Sequence, residues 1–200
     1  MEQQDFNIKI MELELKYFAD DISLAKFQTL AEELNYKKLL VVGGLDTYYT
    51  APDILKDTGI EFLRYRHGLT PELTFKIKTN QNNNNSRIEV DLPLSKKITK
   101  FIINKFVNML GFKENFEIYK ECYIYFYDKI DIVYYTVRDK EEGKVLAKFI
   151  EIEARKDAKF TSEEEAWKLV KEMEQNMNVL GISPQNRLKR SMWEIFRKDI

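Results

Sequence analysis

Charged and apolar residues alternate along several short stretches of this chain. Residues 8–17 (IKIMELELKY) set Glu12, Glu14 and Lys16 on one side of an extended backbone and Leu13, Leu15 and Tyr17 on the other, because side chains two apart in a strand share a face. The device recurs at 60–66 with Arg64 and Arg66, at 72–78 with Lys76 and Lys78, at 87–94 with Arg87 and Glu89, and at 144–156 with Glu151, Glu153 and Arg155. FEIYKECYIYFYD and KIDIVYYTVRD read as a further tyrosine-rich pair of strands, and KKLLVVGGLDTYY as a strand running into Gly43-Gly44 and then a turn or second strand. A different period marks the helices. Leu24, Phe27, Leu30 and Leu34 give 22–35 an amphipathic helical stripe. Residues 96–112 predict a helix ended by Gly111. Residues 162–181 predict another, with Ser162 and Glu165 spaced as a capping box and Gly181 as the stop. A terminal helix is expected over 187–198, a short helical turn over APDILKD with Pro52 near its start, and a solvated hairpin loop at the asparagine run 81–85. The sum, about eight strands and about four helices, is α+β, and short connections make the sheet antiparallel. No repeat or linker divides the chain, so one domain over 1–200 is expected.

Composition narrows the class. The formal net charge is −1, from 32 basic and 33 acidic residues, so no global basic field draws in DNA. No apolar run reaches the length that spans a bilayer, and the N-terminus lacks the basic start and apolar stretch of a secretory signal. A cytoplasmic protein with no membrane partner is expected. The single cysteine, Cys122, forbids an internal disulfide, and the single histidine, His67, argues against a histidine-rich zinc site. Whether the chain pairs as a homodimer stays open.

One wet face would account for any of these strands alone. Taken together, carboxylates on the first and last strands with arginines and lysines between them suggest more. The amphipathic helices need an apolar surface to cover. If they cover the outside of a curled sheet, the charged face turns inward, and a barrel of about eight strands has room for one small ligand. Such a lining is costly unless its charges pair or bind something. A polyanion with metal suits it: carboxylate oxygens are natural ligands of Mg²⁺ and Mn²⁺, and arginine forks match phosphate oxygens.

These residues resemble the CYTH family, the triphosphate tunnel metalloenzymes. Glu12-Leu13-Glu14-Leu15-Lys16 is similar to its N-terminal Glu-x-Glu-x-Lys. DTYYTAP (46–52), LRYR (63–66), LTFK (73–76), SRIEV (86–90), a helix ending in LGF (110–112), FIEIE (149–153) and RSMWEIF (190–196) follow in the family's order, over nearly the whole chain. The resemblance implies an eight-stranded antiparallel barrel with helices outside, Mg²⁺ or Mn²⁺, and a triphosphate such as ATP, another nucleotide or tripolyphosphate. It implies Glu12, Glu14, Glu89, Asp139, Glu151 and Glu153 as metal ligands. Arg64, Arg66, Lys76, Lys78, Arg87 and Lys120 would hold phosphates, and Lys16 with Tyr48 would help activate water. Cys122, Thr50 and Met192 depart from arginine, aspartate and tyrosine at the matching family positions. Three functions share this lining: triphosphate hydrolysis, class IV adenylate cyclase chemistry, and nucleotide or polyphosphate binding without turnover. Lys16 and Tyr48 together, with Thr50 weakening the cyclase pattern, favour the hydrolase. His67, the strand tyrosines and Trp167, Met173 and Met177 read as structural.

Overall fold

The computed structural model describes residues 12–78, 86–155 and 157–198. In chain order the elements are β1 (Glu12–Phe18), α1 (Leu24–Glu33), β2 (Lys37–Thr50), β3 (Ile60–Gly68), β4 (Glu72–Lys78), β5 (Ser86–Pro93), α2 (Lys100–Met109), β6 (Lys113–Tyr127), β7 (Ile130–Asp139), β8 (Val145–Ala154), α3 (Glu163–Asn176) and α4 (Met192–Phe196). All strand pairs are antiparallel, in the order β1-β5-β4-β3-β2-β6-β7-β8, and β8 returns to pair with β1. The expected barrel with helices outside is therefore the fold. The asparagine run lies outside the described residues.

Alternation makes the barrel two-sided. On β1, Leu13, Leu15 and Tyr17 face outward and are buried with Phe27 and Leu30 of α1 and Val170 and Met173 of α3. On β3 and β4, Leu63, Tyr65 and Leu73 face outward beneath Ile103 and Val107 of α2. The intervening positions point into the barrel. Near one end the interior is apolar: Tyr48, Phe62, Phe116, Ile118, Val137 and Phe149 pack together with Met192 and Trp193 of α4. Trp193 stacks on Phe62, with ring centres 5.3 Å apart, so the short C-terminal helix closes that end.

Four local expectations are revised. Gly43 and Gly44 do not break the chain, and β2 runs through them from Lys37 to Thr50. They are small because neighbours approach closely: a Cβ on Gly43 would fall 2.2 Å from the Tyr119 hydroxyl. The expected 96–112 helix begins only at Lys100, where Thr99 caps it by accepting from the Ile102 amide. The capping box at Ser162 is half made. Ser162 accepts from the Glu165 amide, but the Glu165 carboxylate turns to the Thr161 amide and to Lys129. The terminal helix shrinks to 192–196, opened by a complete box between Ser191 and Glu194. Ahead of it the chain is extended at Arg187, and the Leu188 amide donates to the Lys16 carbonyl at 2.7 Å, which ties this segment to β1 instead of to a helical turn.

Candidate active site

The remaining barrel interior is a charged cavity of about 210 Å³. Each wall follows from strand alternation. β1 supplies Glu14 and Lys16, β3 Arg64 and Arg66, β4 Glu72 and Lys76, β5 Glu89, β6 Lys120 and Cys122, β7 Tyr135, and β8 Glu151 and Glu153. Tyr48 of β2 lies where this chamber meets the aromatic end, stacked on Phe116.

Two charge clusters organise the cavity. In the first, the Lys16 ammonium lies between Glu14, at 3.2 Å, and Glu151, at 2.9 Å. The Tyr135 hydroxyl donates to Glu151 at 2.7 Å, and Lys120 sits 4.1 Å above the Tyr135 ring. Burial opposes charge on Lys16, but Glu14 and Glu151 outweigh it and hold its pKa above the lysine range. Burial likewise opposes ionisation of Glu151, yet Lys16 and Lys120 bring its pKa down to about 2. In the second cluster, Asp46 grips Arg66 through two hydrogen bonds of 2.8 Å. Arg64 meets Glu72 at 2.8 Å and Glu89 at 3.7 Å, and Lys76 meets Glu89 at 3.3 Å. Asp46 is fully buried; burial alone would raise its pKa, and Arg66, Arg64 and Lys120 bring it to about 2. Burial and Asp46 push the Tyr48 phenol up to about 12.

The structure brings together Glu14, Lys16, Tyr48, Arg64, Arg66, Lys76, Glu89, Lys120, Glu151 and Glu153 around one cavity. The side chains of Glu12, Lys78 and Arg87 lie outside the described residues. Their backbones pair in register, Arg87 opposite both Glu12 and Lys78. Asp139 is a correction. It ends β7, away from the cavity lining, and its carboxylate accepts from the Glu141 and Glu142 amides at 2.8 Å, so it shapes the β7–β8 turn. Thr50 also lies off the cavity, bonded by Asn115. Met192 and Cys122 do line it; Met192 sulfur lies 3.5 Å from the Tyr135 hydroxyl, and burial raises the Cys122 thiol pKa.

Sequence reasoning missed Asp46, Glu72 and Tyr135. Strand parity was the available signal: Glu72 shares a face with Lys76, and Asp46 shares one with Tyr48. Tyr135 was hidden among strand tyrosines that otherwise pack apolar surface.

The donor set suits a hard divalent cation, which prefers oxygen ligands. Among the described residues no three acidic, cysteine or histidine side chains already converge on one point. Lys16 occupies the gap instead: its ammonium is within 3.2 Å of two carboxylates on neighbouring strands. The cationic wall also has spare capacity. The buried Arg64 Nε–H meets no acceptor among the described residues, and a buried unsatisfied donor costs about 1–3 kcal/mol until an acceptor arrives.

Comparison with known proteins matches this architecture. The CYTH domain model matches residues 11–192. No curated protein matches. Among solved structures, a conserved hypothetical protein of Pyrococcus furiosus is 22% identical, with a TM-score of 0.69, over 92% of this chain and 99% of that one. A candidate adenylate cyclase of Vibrio parahaemolyticus is 16% identical, with a TM-score of 0.66, over 93% and 97%. A candidate adenylyl cyclase of Hippeastrum with a dominant triphosphatase activity is 14% identical, with a TM-score of 0.53, over 86% and 88%. At these identities the structural likeness is one of fold, but the domain match runs through every strand of the barrel, and the chain belongs to the CYTH family.

Proposed function

We propose that this chain hydrolyses a triphosphate held in the barrel, with Mg²⁺ or Mn²⁺ as cofactor. One observation carries the reading: Arg64, Arg66, Lys76 and Lys120 face Glu14, Glu151 and Glu153 across one cavity. Arginines and lysines bind the phosphate oxygens, the arginines as forks and the lysines as point charges. Glu14, Glu151 and Glu153, with Glu12 and Glu89, are the groups that would hold the cation. The ion supplies charge neutralisation along the phosphate chain. Catalysis by the chain itself is then positioning and electrostatic stabilisation, the usual demands of phosphoryl transfer.

The proton inventory refines two roles. Lys16 and Tyr48 are both held protonated, Lys16 by its flanking carboxylates and Tyr48 by burial. As donors lining the cavity, both are suited to hold phosphate oxygens and orient water. Asp46 positions: its two bonds fix the plane of the Arg66 guanidinium.

The hydrolase is preferred to the cyclase on the residues: Lys16 and Tyr48 both line the cavity, whereas Thr50 stands off it, bonded by Asn115.

The test is product analysis after incubation with ATP, and separately with tripolyphosphate, plus Mg²⁺ or Mn²⁺. Orthophosphate with ADP or pyrophosphate is expected. Cyclic AMP with pyrophosphate would replace this reading with the cyclase. Metal-dependent binding without turnover of either compound would replace it with a binding module.

A further inference from the structure

Along three neighbouring strands the barrel interior changes character twice. The inward residues of β6 run from Phe116 and Ile118 in the aromatic floor, through Lys120 and Cys122, to Ile124 and then Phe126. Those of β7 run from Val137 through Tyr135 to Val133. Those of β2 run from Tyr48 through Asp46 to Val42 and then Leu40. Register sets the last members side by side: Val133 stands opposite Ile124, and Ile124 opposite Leu40. An apolar wall therefore follows the charged chamber, at the end away from Trp193.

Val42, Ile124 and Val133 line the cavity itself, and Leu40, 46% exposed, continues the wall outward. β2 pairs with β3 only over Gly44–Thr50. Lys37–Gly43 therefore stand beyond that pairing, backed by β6, as a shelf about 20 Å long at the strand rise. The shelf ends at Phe126, with exposed Lys37 opposite it and the Arg155 guanidinium 4.7 Å over its ring. Arg155 is engaged elsewhere: it donates two hydrogen bonds to Asp157, at 3.0 and 2.9 Å, and lies 3.7 Å from Asp131. The carboxylates Glu14 and Glu153 line the neighbouring wall. The phosphate-binding cations Arg64, Arg66, Lys76 and Lys120 belong to the chamber, and the shelf side chains Leu40, Val42, Ile124 and Val133 are all aliphatic.

We propose that this shelf binds the organic group of a triphosphate ester, so that the chain prefers an organic triphosphate such as ATP to inorganic tripolyphosphate. The inference rests on the reading above for the place of the phosphate chain among Arg64, Arg66, Lys76 and Lys120. A bare polyphosphate leaves the shelf unused, because aliphatic side chains offer no hydrogen bond to phosphate oxygens. An ester that enters the chamber with its phosphates sets its carbon skeleton against Val42, Ile124 and Val133, and that contact removes apolar surface of both from water. Charge alone argues the other way. Tripolyphosphate is at least as highly charged as ATP, so the cationic wall by itself would hold it at least as well. A preference for ATP is therefore a signature of the shelf and not of the chamber.

Steady-state hydrolysis of ATP and of tripolyphosphate by the full-length protein, each with Mg²⁺, tests the proposal. kcat/KM for ATP should exceed that for tripolyphosphate by about 10-fold or more, the low end of what apolar contact adds to specificity. Val42→Thr combined with Ile124→Thr should lower the ATP-to-tripolyphosphate ratio about 10-fold. Threonine keeps the branched shape and the strand preference, and circular dichroism checks the fold. Leu40→Thr, at an exposed position, is the second variant and should lower the ratio in the same direction. An equal or greater kcat/KM for tripolyphosphate would overturn the shelf and leave the hydrolase reading standing, as would a ratio that the folded variants do not move. Hydrolysis of neither compound would instead defeat the hydrolase reading. Calorimetry with Mg²⁺ then decides the shelf: ATP should bind about 10-fold more tightly than tripolyphosphate, and equal affinities would overturn it.

Discussion

The two ends of the barrel interior are built by the same strands with opposite chemistry. β3 contributes Phe62 to the aromatic end and Arg64 and Arg66 to the chamber; β8 contributes Phe149 to one and Glu151 and Glu153 to the other. β6 passes from Phe116 and Ile118 to Lys120. All of these share the inward face, so alternation decides which side of the wall a residue occupies. Position along the strand decides whether it meets Trp193 or the charged cavity. The aromatic floor stabilises the fold by removing large rings from water and excludes solvent from the deep end. The chamber costs stability, because its charges are desolvated and only partly repaid by pairing. Under the proposed function, a bound ligand would complete that pairing.

Substitutions should separate the two ends. Trp193→Ala opens the floor and should cost about 3–5 kcal/mol, the range for large aromatic truncations in a core; urea unfolding measures it, and a loss near zero would mean that α4 is not part of the core. Glu151→Gln sits in the chamber and should do the reverse. It should lower the rate of tripolyphosphate hydrolysis by about 10²–10³-fold, the usual penalty for removing one electrostatic catalytic group, with a stability cost of about 1.5–3 kcal/mol for the lost charged partner of Lys16, below that of Trp193→Ala. A variant that unfolds before it loses turnover would erase the distinction.

Asp46 lies between the two behaviours. Asp46→Asn removes a charged partner of Arg66 and should cost about 1.5–3 kcal/mol at neutral pH, together with a raised KM as the guanidinium loses its fixed plane. The effect depends on pH in a set direction. The folded pKa of about 2 lies below the free aspartate value of about 3.9. Its contribution is therefore complete above about pH 4 and is lost as pH falls toward 2. The stability difference between wild type and Asp46→Asn should shrink across that window, and a constant difference would show that the ion pair is not its source. The smallest effect is expected at Cys122. Cys122→Ser should leave metal-dependent hydrolysis essentially unchanged, because burial keeps the thiol protonated and the thiolate is the form that binds metal; a clear loss would bring Cys122 into the site.

Much of this contrast was legible in the sequence. The Glu14/Lys16, Arg64/Arg66 and Glu151/Glu153 repeats each share one face of a strand by period two, and the helices' need for an apolar surface to cover turned that face inward. The floor was harder to see, since Phe62, Phe116 and Phe149 have the same parity as the charged residues, and only closure of the barrel shows that they meet. Asp46 and Glu72 were hidden for a related reason: their partners lie across strands, at distances set by register. Asp139 was expected only from its place near the family's late-strand aspartate; it stands past the end of the cavity, where the Glu141 and Glu142 amides donate to its carboxylate. The C-terminal helix was overextended because the residues of 187–191 carry helix-compatible chemistry, while the bond from Leu188 to the Lys16 carbonyl holds them extended.

The most direct test of the central claim is orthophosphate release from tripolyphosphate with Mg²⁺ or Mn²⁺, measured for wild type and for Arg64→Gln and Glu151→Gln, with each variant shown to be folded. Release by the wild type and its loss in both variants is the predicted result. Wild-type rates in the two variants would show that the hydrolysis does not take place in the charged chamber, and would contradict the account.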